Sequence, residues 1–297
     1  MKTVALVACI CLVLTPMIYG QTSGSTDIVS RLTLGNTAEV APGNSVGFQA
    51  GTSEFTSDQD IYRIRGIVGI GGLAEIDFSN VGEVQTMLYR IRRQPSWGLK
   101  VKLLSETDDH PAVAVVLGSS IGWNAEWNFW YDIQASRPEL YNQGLSIAKY
   151  ETGFARAQVI ASKDVLSGMI LTVGLGIEDV QNKSVSLWGA SSNFNFPNLL
   201  RVDGMQHNLT FEGFLGATLP LTASLTAIAE VESIPFVTPG AGLTSLVADR
   251  AYLGSAGLRY NLVGNISVDG TYFGVSDPSG YYAGELRIGL NAAVSLQ

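Results

Sequence analysis

Apolar residues alternate with polar or small ones along much of this chain, most regularly from Gly284 to Gln297. There the even positions from Leu286 to Leu296 are all apolar, and nearly all the odd positions are polar or small. A period of two predicts a β-strand with one apolar and one polar face. The segment is also long enough for a tilted transmembrane strand, which needs about 9–11 residues, whereas strands in globular proteins mostly have about 5–6.

The same alternation recurs along the chain and predicts about 12 to 16 antiparallel strands. The predicted strands cover residues 46–51, 62–70, 74–79, 87–92, 97–103, 112–121, 126–134, 145–150, 155–162, 169–178, 184–187, 209–221, 223–232, 252–262, 266–272 and 284–297. No stretch with a helical period competes with them. The pattern therefore predicts an all-β fold, an antiparallel up-and-down transmembrane β-barrel over residues 45–297, with a polar periplasmic segment at 21–44 before it.

The predicted connections fall into a short and a long set, an asymmetry typical of barrels with short periplasmic turns and longer outer loops. The short set is Gly71, 94–96, 122–124, 151–153, 179–182, Thr222 and 263–264. The long set is 105–111, 136–144, 189–207, 234–249 and 276–283. Aromatic residues near strand ends or on apolar faces fit an interfacial girdle, or else the core of a sandwich: Trp97, Trp123, Trp127, Trp130, Tyr252, Tyr260 and Tyr272.

The first 20 residues are typical of a cleaved secretory signal. Lys2 supplies the charged start, residues 4–14 form a short apolar core, and Gly20 precedes the predicted cleavage point. A retained anchor and a lipidated Cys9 are the alternatives. Because both cysteines, Cys9 and Cys11, lie within this segment, the mature chain is predicted to have no disulfide, thiol catalysis or cysteine–metal site.

Catalytic signals are weak. His110 and His207 are the only histidines that could serve as general bases near neutral pH. A lipid hydrolase would need a serine beside one of them, and neither local sequence supplies it. The chain is therefore predicted to be non-enzymatic, without cofactor or metal. Its net charge of −8 argues against nucleic acid as a partner.

Charged residues on the polar faces of the strands would point into the lumen of a barrel. The candidate lumen-lining charges are Arg63, Arg65, Arg90, Arg92, Lys100, Lys102, Glu126, Asp132, Glu178, Glu212, Glu230, Arg259, Asp269 and Arg287. Facing ladders of opposite sign would either close a narrow barrel with ion pairs or line a wet pore. In a soluble sandwich they would form a charged outer face instead.

Three segments, Pro111 to Gly118, Ala157 to Lys163 and Leu171 to Gly176, follow one another in an order similar to that of the YjbH-type outer-membrane barrels. Residues 229–232 and 257–262 also resemble closing strands of that family, so that the resemblance covers residues 98–275. The chain departs from the pattern at Gly122-Trp123 and at residues 127–131.

The resemblance implies a role in exopolysaccharide production or export, with polysaccharide or export-machinery components as partners, and it supplies no catalytic residue. Together, the pattern and the resemblance predict an exported protein of the bacterial outer membrane, in contact with its lipid, with a porin-like or structural role. A soluble periplasmic or secreted β-sandwich that binds a ligand is the competing prediction.

Overall fold

In a computed structural model of the chain, the residues described are 37–41, 43–54, 61–80, 95–122, 128–129, 145–166, 168–189, 198–240, 244–263, 266–276 and 282–295. The predicted signal segment, the predicted strand at 87–92 and most of the one at 126–134 lie outside these ranges. So do four of the candidate lumen charges and three tryptophans: Arg90, Arg92, Glu126, Asp132, Trp123, Trp127 and Trp130.

Every regular element of the described chain is a β-strand. The strands are β1 (Ser45–Glu54), β2 (Ile61–Ile70), β3 (Ala74–Ser79), β4 (Ser96–Leu104), β5 (Ala112–Ser120), β6 (Asn128–Phe129), β7 (Leu145–Leu166), β8 (Met169–Gly189), β9 (Asn198–Pro220), β10 (Leu225–Pro239), β11 (Leu246–Val263), β12 (Ile266–Ser276) and β13 (Tyr282–Ser295). Among the described residues, no helix is long and apolar enough to cross a membrane.

The strands form a closed antiparallel barrel. Each pairs with its sequence neighbour, β1 pairs with β13, and β5 pairs with β7, which closes a ring of twelve strands, β1 to β5 and β7 to β13. The short β6 pairs with the far end of β7 and is not part of this ring. The predicted barrel is confirmed, with the smallest strand number of the predicted range, and the last strand meets the first from Ser45–Ser295 to Glu54–Leu286.

Two predicted turns are wrong because they lie within long strands. Residues 151–153 belong to β7 and residues 179–182 to β8, so each pair of predicted strands there is one continuous strand. The register shifts at Glu151–Thr152 and at Asn182–Ser184. These irregularities break the alternation without ending the ladder, and a bulge therefore has the same sequence signature as a turn.

Two predicted long loops are also mostly strand. Residues 198–207 belong to β9, and β10 and β11 extend into the predicted 234–249 loop. Because the sequence analysis predicted too many strands, it placed the connections in the first half of the chain at the wrong ends of the barrel. The 105–111 connection lies at the end of the barrel that holds the short turns 71–73 and 221–224, whereas 95–96 and 122 lie towards the opposite end.

The outer surface of the barrel carries the apolar faces of the strands. Along β8 the outward residues Leu171, Val173, Leu175 and Ile177 alternate with the buried Thr172, Gly174 and Glu178. Exposed large apolar side chains form such a belt on nearly every strand of the ring: Ile64, Val68, Phe78, Trp97, Leu117, Val159, Val173, Leu175, Ile177, Leu209, Phe211, Leu215, Val231, Tyr252, Leu258, Tyr260, Tyr272, Leu286 and Ile288. We refer to them as the apolar belt. Trp97, Tyr252, Tyr260 and Tyr272 are part of it and lie on the outside of the barrel.

Candidate functional site in the barrel lumen

The polar faces of the strands line the inside of the barrel. Seven of the candidate lumen charges are buried there: Arg65, Lys100, Glu178, Glu212, Glu230, Arg259 and Asp269. Lys102 is half-buried, and Arg63 and Arg287 are positions of β2 and β13. Because these groups are buried inside a ring whose outside is apolar, the distribution of polarity is the reverse of that in a soluble sandwich.

Ion pairs between neighbouring strands occupy one half of the lumen. Arg65 Nη2 lies 2.9 Å from Asp77 Oδ1, which joins β2 to β3. Lys100 Nζ lies 3.0 Å from Glu75 Oε1 and joins β4 to β3, where the two residues are direct partners in the ladder. This half of the lumen thus has its positive charges next to negative ones, which is the arrangement expected of a lumen filled by ion pairs.

A third pair joins β11 to β12. Arg259 donates from Nε to Asp269 Oδ1 at 2.8 Å and from Nη2 to Oδ2 at 3.0 Å, a bidentate arrangement. Such planar, two-point contacts are the strongest geometry for an arginine–carboxylate pair. Both side chains are buried, so each charge depends on the other for compensation.

A short segment ahead of β1 crosses the lumen near the end with the short turns. We call it the strap, Thr37 to Ala41. The Ala41 amide donates to Glu75 Oε2 at 2.9 Å, and Lys100 Nζ donates to the Thr37 carbonyl at 3.3 Å. The same Glu75–Lys100 ion pair therefore holds both ends of the strap.

Ala38, the second residue of the strap, reaches the wall formed by β7 and β8. The Ala38 amide donates to Ser162 Oγ of β7 at 2.9 Å, and this hydroxyl is also 2.9 Å from Thr172 Oγ1 of β8. Ala38 is 0% exposed. It belongs to a buried apolar cluster contributed by β5, β7, β9 and β10: Ala112, Ala114, Val116, Ile160, Phe214 and Ile228. The strap thus fills the space between β3–β4 and the strands opposite them.

Two further contacts fix the strap in this position. Glu39 Oε2 lies 3.3 Å from Lys102 Nζ, and the chain between the strap and β1 is held to the β2–β3 turn, where Gly71 donates to Asn44 Oδ1 at 3.1 Å. Residues 21–44 were predicted to be a periplasmic segment outside the barrel, but residues 37–41 lie within it. Five residues are too few to show a period, and only the apolar Ala38, Val40 and Ala41 hinted at burial.

The wall formed by β7 to β10 has a different charge balance. Within the height of the apolar belt, its inward charges are four carboxylates and one guanidinium among the described residues: Glu178, Glu212, Glu230, Glu232 and Arg156. We call these four glutamates the acidic wall. Gln158 Nε2 donates to Glu212 Oε2 at 2.7 Å, and Ser255 Oγ donates to Glu230 Oε1 at 2.8 Å. Glu178 Oε1 is buried and accepts from no protein donor in the described structure, and the carboxyl group of Glu178 lies within hydrogen-bond distance of that of Glu212.

Both histidines lie outside the lumen. His207 Nδ1 is 2.7 Å from Asp179 Oδ2 on the outer surface, just beyond the apolar belt. His110 is exposed in the β4–β5 connection, where its Nδ1 is 3.3 Å from the Pro111 carbonyl. The Nδ1 atoms of these imidazoles thus contact a carboxylate and a carbonyl rather than a serine hydroxyl. In the described part of the chain, no group of three or more His, Cys, Asp and Glu residues is arranged to hold a metal ion.

No protein-family model matches the sequence, and no curated protein matches it significantly. Solved structures similar to this chain include the NanC porin, with 9% sequence identity, a TM-score of 0.48 and coverage of 84% of this chain and 100% of that one. The CymD monoaromatic hydrocarbon channel has 9% identity and a TM-score of 0.45, over 86% and 89% of the two chains. The translocator domain of the autotransporter NalP from Neisseria meningitidis has 10% identity and a TM-score of 0.41, over 84% and 86%.

Proposed function

We propose that this protein is a non-enzymatic β-barrel of the bacterial outer membrane whose lumen is a conduit closed by the strap. The main support for this proposal is the strap, which spans the lumen of a barrel whose outside is apolar. An apolar exterior needs a hydrocarbon environment, and a segment held across the lumen by a few reversible contacts can act as a plug.

The apolar belt supports the membrane part of the proposal. Leu175 and Phe211 are 67% and 68% exposed, although burial of such side chains is worth about 1.5–3 kcal/mol each. Along β8 the outward residues change from apolar to polar after Ile177, at Asp179 and Lys183. From Met169 to Ile177 the strand is about as long as a tilted crossing of the bilayer requires. The competing prediction of a soluble β-sandwich does not account for this exterior or for the closed ring.

The contacts of the strap support the conduit part of the proposal. They include three hydrogen bonds, at Thr37, Ala38 and Ala41, an ion pair at Glu39 and the packing of Ala38. Individual hydrogen bonds of this kind contribute about 0.5–1.5 kcal/mol net. The strap is thus held firmly enough to close the lumen at rest and weakly enough to be displaced without unfolding the barrel.

The narrower proposal is a role in envelope polysaccharide production or export. It rests on the resemblance of residues 98–275 to the YjbH-type barrels. The three best-matching segments lie on β5, β7 and β8, which are consecutive strands of the ring and include the inward residues Ala112, Ser162 and Thr172 beside the strap. Deleting the gene and quantifying surface polysaccharide tests this role, and unchanged polysaccharide would remove it without affecting the conduit.

The conduit is tested by replacing Gly69 of β2 with leucine. A Cβ atom at Gly69 would lie 2.6 Å from the Ser45 hydroxyl oxygen, which can rotate away, and 2.9 Å from Ala41 Cβ and 3.1 Å from the Ala41 carbonyl oxygen of the strap. Overpacking costs about 1–3 kcal/mol, and about 1.4 kcal/mol changes a population ratio tenfold. In planar bilayers we expect the wild type to conduct rarely and Gly69→Leu to raise the open fraction on the order of tenfold.

Gly66→Leu is the matched control, because it lies on the same strand and an added Cβ there meets nothing within 4 Å. Its conductance should equal that of the wild type. Heat-modifiable gel mobility establishes that all three proteins are folded barrels. A folded Gly69→Leu barrel that conducts as little as Gly66→Leu would show that the strap does not control the lumen.

A further inference from the structure

We infer that the acidic wall binds cationic solutes, specifically organic ammonium ions, and gives the lumen a preference for them over anions. The inference deepens the proposed function, since it names the class of solute that the conduit would accept. It rests on the charge balance inside the barrel, on one buried carboxylate oxygen without a protein donor among the described residues, and on the place of these groups relative to the strap.

The carboxylates of the acidic wall are close neighbours. Glu178 of β8 faces Glu212 of β9 and Glu232 of β10, with the guanidinium of Arg156 as the nearby positive charge. Gly176 and Glu212 are ladder partners, so Glu178 and Glu212 are diagonal neighbours, and Glu232 pairs with Phe214 on the next strand. Like charges at such positions repel one another. Two carboxyl groups as close as those of Glu178 and Glu212 either share a proton or hold a cation between them, so a cation that enters the wall can take the place of that proton.

Apart from Arg156, the lumen cations whose side chains the structure describes do not supply that charge. Arg65, Lys100 and Arg259 are each engaged with a carboxylate of a neighbouring strand, and Lys102 lies against Glu39 of the strap. Transferring one of these cations to the acidic wall would leave a buried carboxylate behind, at a cost that outweighs the gain. A mobile cation from solution has no such competing partner.

Glu178 is the residue to which we expect the ammonium group to bind. The residue is 2% exposed, no protein group of the described structure donates to its Oε1, and its carboxyl group lies within hydrogen-bond distance of that of Glu212. A buried acceptor without a donor is unfavourable and is normally matched by a protein group, water or a ligand. An ammonium group supplies three donors together with positive charge. A metal ion fits less well, because the described residues hold no group of ligands arranged for one.

The acidic wall lies beyond the strap, on the side of the long connections. Ala38 of the strap packs with Phe214 and Ile228, and the glutamates follow these residues on the same strands in the direction away from the short turns. A solute entering from the long-connection end therefore meets the acidic wall before it meets the strap. Low-dielectric walls strengthen the attraction for cations and the repulsion of anions in this part of the lumen.

The inference is tested with putrescine, a diammonium ion, and 1,4-butanediol, a neutral molecule of the same chain length. Titration of the folded protein, followed by calorimetry, should show saturable binding of putrescine and none of the diol. Glu178→Gln/Glu212→Gln should lose roughly tenfold or more in putrescine affinity, as expected when hydrogen bonds to a charged group are removed. Asp203→Asn is the matched control, because Asp203 is exposed and pairs with Arg201 instead.

A second measurement separates this inference from the conduit. In bilayers with a KCl gradient, the Gly69→Leu barrel should show a cation-selective reversal potential, which should fall towards zero when Glu178 and Glu212 are also replaced by glutamine. Putrescine binding without any conductance in any variant would refute the conduit and leave the cation site standing. Conductance that is anion-selective, or putrescine binding unchanged in the double variant, would overturn the cation site and leave the conduit.

Discussion

Replacing Leu175 with arginine is expected to destabilise the barrel in phospholipid vesicles by about 2–4 kcal/mol. Leu175 lies in the middle of the apolar belt, on the outside of β8, and is 67% exposed. In water such a substitution would be almost neutral, since exposed surface changes are usually within about ±0.5 kcal/mol. In a bilayer the guanidinium must be placed in hydrocarbon or drag water and headgroups towards it. The free energy of unfolding by guanidinium chloride in vesicles measures the difference.

Leu221→Arg provides the control for this effect. Leu221 is also exposed, at 50%, but it lies in the β9–β10 turn outside the predicted hydrocarbon region. Near an interface the cost of arginine falls to about 0–1 kcal/mol. A larger loss of stability in Leu175→Arg than in Leu221→Arg would therefore show that the cost depends on the depth of the residue in the bilayer and not on arginine itself. Equal and small effects of both substitutions would mean that the apolar belt does not face lipid.

Replacing Arg259 with methionine is expected to cost about 3–5 kcal/mol of stability, because it leaves the buried Asp269 without its counter-charge. The pair is bidentate and almost fully enclosed in the lumen. Unfolding in denaturant, with the folded fraction followed by gel mobility, gives the free-energy difference.

Arg201→Met is the matched control, since Arg201 and Asp203 form an exposed pair at the end of β9. Exposed pairs contribute about 0–1 kcal/mol, so this variant should differ little from the wild type. Arg259→Met/Asp269→Leu should recover most of the lost stability, because an apolar pair can replace a buried ion pair at little cost. If the single and the double variant lost the same amount of stability, the unpaired charge of Asp269 would not be the cause of the destabilisation.

The fold could be predicted from the sequence because the barrel wall obeys a local rule. A strand with lipid on one side and a polar lumen on the other must alternate at every step, and segments such as 169–177 and 286–294 display that period directly. The rule fails where the strands extend beyond the belt. Neither face is uniformly apolar before Ala155 in β7 or after Ile177 in β8, so the pattern covers only part of each strand.

The lumen charges were predictable for the same reason, since Arg65, Lys100, Glu178 and Arg259 occupy the polar face of alternating strands. Their partners were not, because pairing across strands depends on the register and on the shear of the ring, which the sequence does not display. The strap was missed for a third reason. Its burial comes from contacts with Glu75, Lys100 and Ser162, which follow it by 34, 63 and 124 positions, and five residues carry no pattern that would reveal them.

The most direct test of the membrane-spanning barrel is a nitroxide scan of β8 in phospholipid vesicles, with one cysteine at a time introduced from residue 169 to residue 185. Electron paramagnetic resonance then compares collisions of each label with oxygen, which partitions into lipid, and with a water-soluble nickel chelate. We expect oxygen accessibility to peak at Leu171, Val173, Leu175 and Ile177, to fall at the residues between them, and to give way to nickel accessibility from Asp179 onwards. Nickel accessibility at Val173 and Leu175 equal to that at Lys183 would contradict the account.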